Sequence, residues 1–77
     1  MPRLTPADWR TLVKVFEADG FSVDRTTGDH IIMTKPGVIR PIVIPKYKEV
    51  GLDIIRANLR MAHMDRERYF ELLKQIR

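Results

Sequence analysis

Apolar residues along this chain recur with two different periods, and the changes of period mark out its elements. Trp9, Leu12, Val13 and Phe16 fall at i, i+3, i+4 and i+7, one face of a helix, while Arg10, Lys14 and Glu17 take the other face. Ahead of them, Thr5-Pro6-Ala7-Asp8 has the composition of a helix start. Thr5 suits the N-cap, Pro6 the first helical position, and Asp8 the acidic half of a capping box. The first helix is therefore expected to begin at Pro6. Gly20 ends it, and Phe21 just beyond offers the apolar contact of a Schellman-type stop.

From Phe21 to Thr26 the pattern alternates, which predicts a half-buried strand. Thr27-Gly28-Asp29 supplies a turn, His30 to Lys35 a second strand, Pro36-Gly37 another turn, and Val38 to Ile44 a third strand rich in β-branched residues. Three strands joined by short turns predict an antiparallel meander. Pro41 has no backbone donor, so the third strand should lie at an edge or carry a bulge there, and Pro45 should close it. The helical period returns at Leu52, Ile55, Leu59 and Ala62, with Ile54 and Met61 widening the stripe. This second helix is expected to end near His63, a polar residue suited to a left-handed cap. Asp65 as N-cap, Glu67 in the first turn, and Tyr69, Phe70, Leu73 and Ile76 predict a third amphipathic helix. The order α-β-β-β-α-α implies an α+β sandwich: a three-stranded antiparallel sheet with helices on one face. The length, 77 residues, is that of a single domain spanning residues 1–77.

Composition narrows the chemistry. The chain has no cysteine, hence no disulfide and no thiolate metal site, and its two histidines stand too far apart in sequence for a zinc motif. Neither a metal nor another cofactor is expected. No apolar run approaches the ~18 residues of a membrane span, and the basic-then-apolar pattern of a signal peptide is missing, so the cytoplasm is the expected compartment and no membrane partner is expected. A net charge of +4 and a pI near 9.9 favour a polyanionic partner, with nucleic acid the first candidate.

Gly28-Asp29-His30 is the most informative triplet. It delivers a histidine, the side chain whose ordinary pKa lies nearest neutrality, to the mouth of an apolar strand in a basic chain. Taken by its position alone, His30 reads more readily as a structural residue satisfying a backbone partner than as a catalytic one. Arg25 and Lys35 are placed near it if the first two strands form a hairpin about Gly28, where they would neutralise a phosphate. Lys46-Tyr47-Lys48 reads either as a clamp that holds phosphate and stacks a base, or as a solvated loop. Asp29 has three readings: holding an imidazolium, repelling phosphate, or capping the turn. Arg56 and Arg60, and Lys48 with Arg56 if the helix begins early, form a row that either tracks a phosphate backbone or pairs with Asp53 and Glu49. Trp9 and Phe16 have the spacing of core residues, and His63 that of a cap.

Several of these pieces stand in a familiar order. Asp19-Gly20-Phe21 closing the first helix, Arg25 before the turn, Gly28-x-His30 opening the second strand, Ile44-Pro45 closing the third, and the helix Ile54 to Ala62 followed by Asp65-Arg66-Glu67 resemble the HicA (YcfA-like) mRNA interferase toxins. The resemblance covers nearly the whole chain and implies a double-stranded-RNA-binding-domain-like α-β-β-β-α fold, here with an extra C-terminal helix. It also implies that His30 matches the histidine on which RNA cleavage depends, that mRNA is the substrate, and that a HicB-type antitoxin is the partner. Two departures stand out. The family's turn usually reads Gly-Ser-His or Gly-Thr-His, where this chain has Asp29. Many members also carry a histidine shortly after the Val-Pro or Ile-Pro pair, where this chain has Tyr47. The tail from Tyr69 to Arg77 extends beyond shorter members, with packing and homodimerisation as its two readings.

Two functions follow as expectations. One is a metal-independent endoribonuclease using His30 in acid-base chemistry, with Tyr47, Lys46 or water as general acid. The other is an RNA-binding module of the same fold that does not cleave.

Overall fold

The computed structural model describes residues 3–76, with the order α1 (Trp9–Ala18), β1 (Ser22–Thr27), β2 (His30–Thr34), β3 (Ile42–Pro45), α2 (Leu52–Met61) and α3 (Arg66–Gln75). The sheet is an antiparallel meander of order β1-β2-β3, with β2 in the centre. This is the expected α+β architecture with its additional C-terminal helix. Ile31 and Met33 of β2 and Ile42 and Ile44 of β3 are buried. Side chains alternate along a strand, so His30, Ile32 and Thr34 point to the opposite, open face, as does Val43.

Leu12, Val15 and Phe16 of α1, Ile55 and Leu59 of α2, and Tyr69 and Leu72 of α3 complete one apolar core with the inner sheet residues. Val15 and Leu72 belong to this core although the predicted stripes omit them. Trp9, Val13, Phe70, Leu73 and Ile76 pack only at its margin. The apolar face of α3 is thus used within the chain, in keeping with the packing reading of the tail; Arg77 lies outside the described residues.

Four features differ from expectation, each for a physical reason. First, α1 starts at Trp9 and not at Pro6, with Asp8 as the N-cap accepting from the Arg10 N–H at 2.8 Å. Ala7 exchanges backbone hydrogen bonds with Val50 (3.3 and 2.8 Å), which keeps the chain extended up to the cap. Second, Phe21 is not in β1. It is the last residue of a Schellman stop, in which Phe21 N–H donates to Phe16 O (2.9 Å), Gly20 N–H donates to Glu17 O (3.0 Å), and Gly20 takes φ +102°. The two phenyl rings meet edge to face, 5.6 Å between centroids.

Third, β1 is exposed along its whole length where half-burial was expected. α1 and α2 lie against β3, α3 packs on α1, and β1 hangs at the far edge of the sheet. Fourth, β3 begins at Ile42, leaving Val38 to Pro41 as an irregular loop. Lys35-Pro36-Gly37-Val38 closes by a Val38 N–H to Lys35 O bond (3.0 Å) with Gly37 at φ +86°, the type II pattern. Pro41 cannot donate to a ladder, and it sits just ahead of an edge strand, where such a residue is tolerated.

The C-terminus of α2 repeats the Schellman logic without a glycine. Met64 N–H donates to Leu59 O (2.9 Å), His63 N–H donates to Arg60 O (3.2 Å), and His63 itself is left-handed at φ 55°. The cap reading of His63 therefore holds. A side chain in this conformation costs about 1–2 kcal/mol that glycine avoids. His63→Gly should raise the melting temperature by a few degrees, measured by circular dichroism. Asn58, on α2, is 5% exposed and its Nδ2 has no hydrogen-bond partner among the described residues. A buried amide donor left unpaired costs about 1–3 kcal/mol, so Asn58→Leu should also raise the melting temperature; a fall would mean that the amide is satisfied in solution.

Candidate functional site

The β1–β2 connection is as tight as a hairpin allows. Thr27 pairs with His30, leaving only Gly28 and Asp29 as the turn, and Gly28 takes φ +50°. No atom lies within 4 Å of where a Gly28 Cβ would stand, so backbone conformation, and not space, calls for glycine there. His30 opens the central strand and is held on both sides, by Thr27 of β1 and by Pro45 of β3. Its side chain is exposed on the open face of the sheet.

Three backbone hydrogen bonds fasten this mouth to the rest of the chain. Lys46 N–H donates to Asp29 O at 2.7 Å, Tyr47 N–H folds back on Pro45 O at 2.8 Å, and Trp9 N–H donates to Tyr47 O at 3.1 Å. The last bond satisfies one of the N-terminal donors that a helix leaves free. As a result the loop after β3, the first turn of α1 and the hairpin turn converge. The Lys46 ammonium stands 5.7 Å from the centre of the Trp9 ring, and the Arg10 guanidinium 5.4 Å from the same ring. Tyr47 is 51% exposed, and Lys48 beside it is exposed as well.

Arg25 lies opposite Ile32, which makes it a diagonal neighbour of His30 on the same open face. A bulge at Asp24 puts Val23 opposite Met33. The Asp24 carboxylate is thereby kept off the helix side and forms an exposed ion pair with Arg25 (3.1 Å). Such a pair is weak and open to exchange with a stronger anion. The Asp29 carboxylate forms no ion pair with His30, Lys46 or Arg25 among the described residues; its backbone carbonyl does the fastening.

Lys35 is not near His30, contrary to the expectation from the hairpin. The residue lies beyond the other end of β2, five residues along at about 3.3 Å each. There its ammonium pairs with Asp19 (3.3 Å), and Arg68 pairs with the same carboxylate (3.3 Å), joining the end of α1 to β2 and α3. Lys48 and Arg56 share no helix face either, because Gly51 is the N-cap of α2 and Lys48 precedes it. The structure therefore groups His30, Asp29, Lys46 and Tyr47 at one end of the sheet, places Lys48 in the same loop and Arg25 on the same face, and leaves Lys35 apart.

Trp9 and Arg10 belong to this end of the molecule, which the helical spacing of Trp9 concealed. Their place in the first turn was the available clue, since a stripe residue at a helix terminus often sits at the rim of the core. Among the described residues no group of three or more His, Asp or Glu side chains is placed to hold a metal ion, and no helix is long and apolar enough to cross a membrane.

No curated protein and no solved structure gives a match to this chain. The family model described as HicA toxin of bacterial toxin-antitoxin does match, over residues 9–64, which run from the first residue of α1 through the Met64 stop of α2. That span is well over half of the chain and holds the entire hairpin mouth; the chain belongs to the HicA toxin family of bacterial toxin–antitoxin systems.

Proposed function

We propose that this HicA-family toxin is a metal-independent endoribonuclease acting on mRNA, with His30 as its acid-base residue. The observation that carries the reading is the exposed imidazole at a mouth locked by the Thr27 and Pro45 pairings and by the Asp29–Lys46 bond. A group fixed on a rigid strand end can be met by a flexible substrate in one orientation. His30 removes the proton of a ribose 2′-hydroxyl, the 2′-oxygen attacks the adjacent phosphorus, and the 5′-oxygen leaves with a proton supplied by Lys46, Tyr47 or water. The products are a 2′,3′-cyclic phosphate and a 5′-hydroxyl. Arg25 and Lys46 stabilise the charge that develops on the phosphorane oxygens, Gly28 and Asp29 hold the turn that presents His30, and Lys48 adds charge along the incoming strand. Lys35, with its ammonium on Asp19, contributes at most a distant phosphate contact.

The partner in this reading is a HicB-type antitoxin that covers the open face of the sheet. That face carries Arg25, Ile32 and Val43 side by side across its middle and His30 at its turn end, an apolar strip with a basic margin. An acidic partner would be steered to it by the net charge of +4.

Two experiments test these statements. Purified protein incubated with labelled RNA in excess EDTA should yield cyclic-phosphate ends, and His30→Ala should lower the rate by at least the ~100-fold expected for a lost general base. Equal cleavage by His30→Ala removes the mechanism; salt-sensitive RNA binding with no products from the wild type points to the non-cleaving module. Separately, Val43→Lys should keep growth arrest on induction while escaping neutralisation by a co-expressed antitoxin. Full neutralisation of that variant would place the antitoxin elsewhere.

A further inference from the structure

Arg3, Arg56 and Arg66 come from three distant parts of the sequence, the N-terminal segment, α2 and the first turn of α3, yet they line one cleft of about 320 Å³ together with Leu4, Thr5 and Leu52. Three arginines lining one cleft make it positive, and no carboxylate among the described residues lies within ion-pairing distance of any of them. The nearby acids are otherwise placed. The Asp65 carboxylate caps α3 by accepting from Arg68 N–H (2.8 Å), and Asp53 folds back against Gly51 at the start of α2. Arg56 and Arg60 do share a face of α2, one turn apart as expected, but they line different grooves. Arg60 joins Arg40 and His63 around the apolar Val38, Ile39 and Met61 at the other end of α2, in a groove that is mainly apolar.

We propose that the Arg3–Arg56–Arg66 cleft is a phosphate-binding site that takes the backbone of the RNA substrate away from the scissile bond. Guanidinium is always charged and presents planar, paired donors that match phosphate oxygens. A phosphate seated there meets a positive surface that no carboxylate neutralises. The cleft is also joined to the candidate active site: the segment carrying Arg3 runs through Leu4 to Ala7, which is hydrogen-bonded to Val50, the end of the Lys46–Tyr47–Lys48 loop. Contacts with a part of the substrate that does not react supply binding energy that can be used to orient the part that does. This site rests on the RNA reading for its occupant, but its affinity for phosphate does not.

The test uses the full chain carrying His30→Ala, so that RNA stays intact. Arg56→Gln with Arg66→Gln should weaken binding to a single-stranded RNA severalfold and reduce the slope of log affinity against log salt by about 0.7, the value for one phosphate on a single strand. Arg40→Gln with Arg60→Gln removes the same charge elsewhere and should leave that slope nearly unchanged. Millimolar inorganic phosphate, against chloride at equal ionic strength, should raise the melting temperature of the parent and not that of the Arg56/Arg66 variant. If both double variants lose RNA affinity and slope equally, the effect is net charge and the site is overturned. A phosphate shift lost in the Arg56/Arg66 variant with RNA binding unchanged overturns the RNA occupant, and a parent that ignores phosphate overturns the site altogether. Failure of wild-type protein to cleave RNA, with the phosphate shift present, removes the nuclease reading and leaves the cleft standing.

Discussion

The hydrogen bond from Lys46 N–H to the Asp29 carbonyl, 2.7 Å long, is the contact on which the working end of this molecule depends. On its own a two-residue hairpin turn at the edge of a small sheet would fray, since the β1 strand beside it buries nothing. The bond ties that turn to the chain leaving β3. The same stretch of chain gives its Tyr47 carbonyl to the first turn of α1 and exchanges two further bonds between Val50 and Ala7. Four backbone contacts thus connect the hairpin, the post-sheet loop, the N-terminal segment and a helix. Backbone groups do this work without committing the side chains of His30, Tyr47 and Lys48, while the Lys46 ammonium rests over the Trp9 ring.

Stability is distributed in a way that suits this arrangement. The buried residues come from all three helices but from only two strands, β2 and β3. Both face the helix layer, and β1 is held to the sheet by its pairing with β2. The second anchoring point is Asp19, whose carboxylate is 12% exposed and meets Lys35 and Arg68 together. One acid between two bases at the end of α1 holds the end of β2 opposite to the mouth. The central strand is therefore fixed at both ends by different means, carbonyl and amide at His30, ion pairs at Lys35.

Most of the architecture was legible in the sequence because the period of the apolar residues and the glycine and proline signals agreed. Gly20, Gly28 and Gly37 each adopt the positive φ that their turns required, and His63 was readable as a cap from its place after the Leu52-to-Ala62 stripe. The start of α1 was not legible, because Thr5-Pro6-Ala7-Asp8 is a good local start that loses to a tertiary pairing of Ala7 with Val50, forty-odd residues away. The exposure of β1 was hidden for a similar reason: alternation shows two faces but not whether anything covers them. In the site, His30, Lys46 and Tyr47 could be grouped from their positions at the two strand ends that meet. Lys35 was misplaced because a hairpin brings together residues near its turn, and Lys35 is at the open end. Nothing in the sequence places Arg3 beside Arg66, since only the packing of α2 and α3 against the N-terminal segment brings them to one cleft.

Asp29 acts on the scaffold through its carbonyl, and its carboxylate forms no ion pair among the described residues, which separates the shape of the mouth from its charge. A serine or threonine at this position would present the same carbonyl to Lys46 and the same turn to His30. The side chain at residue 29 is consequently free to vary in charge: one negative charge can be added or removed beside His30 while the histidine, its strand and its anchoring stay where they are. The fold thus lets the electrostatics of its candidate site change at one position without any change in the geometry that presents the histidine.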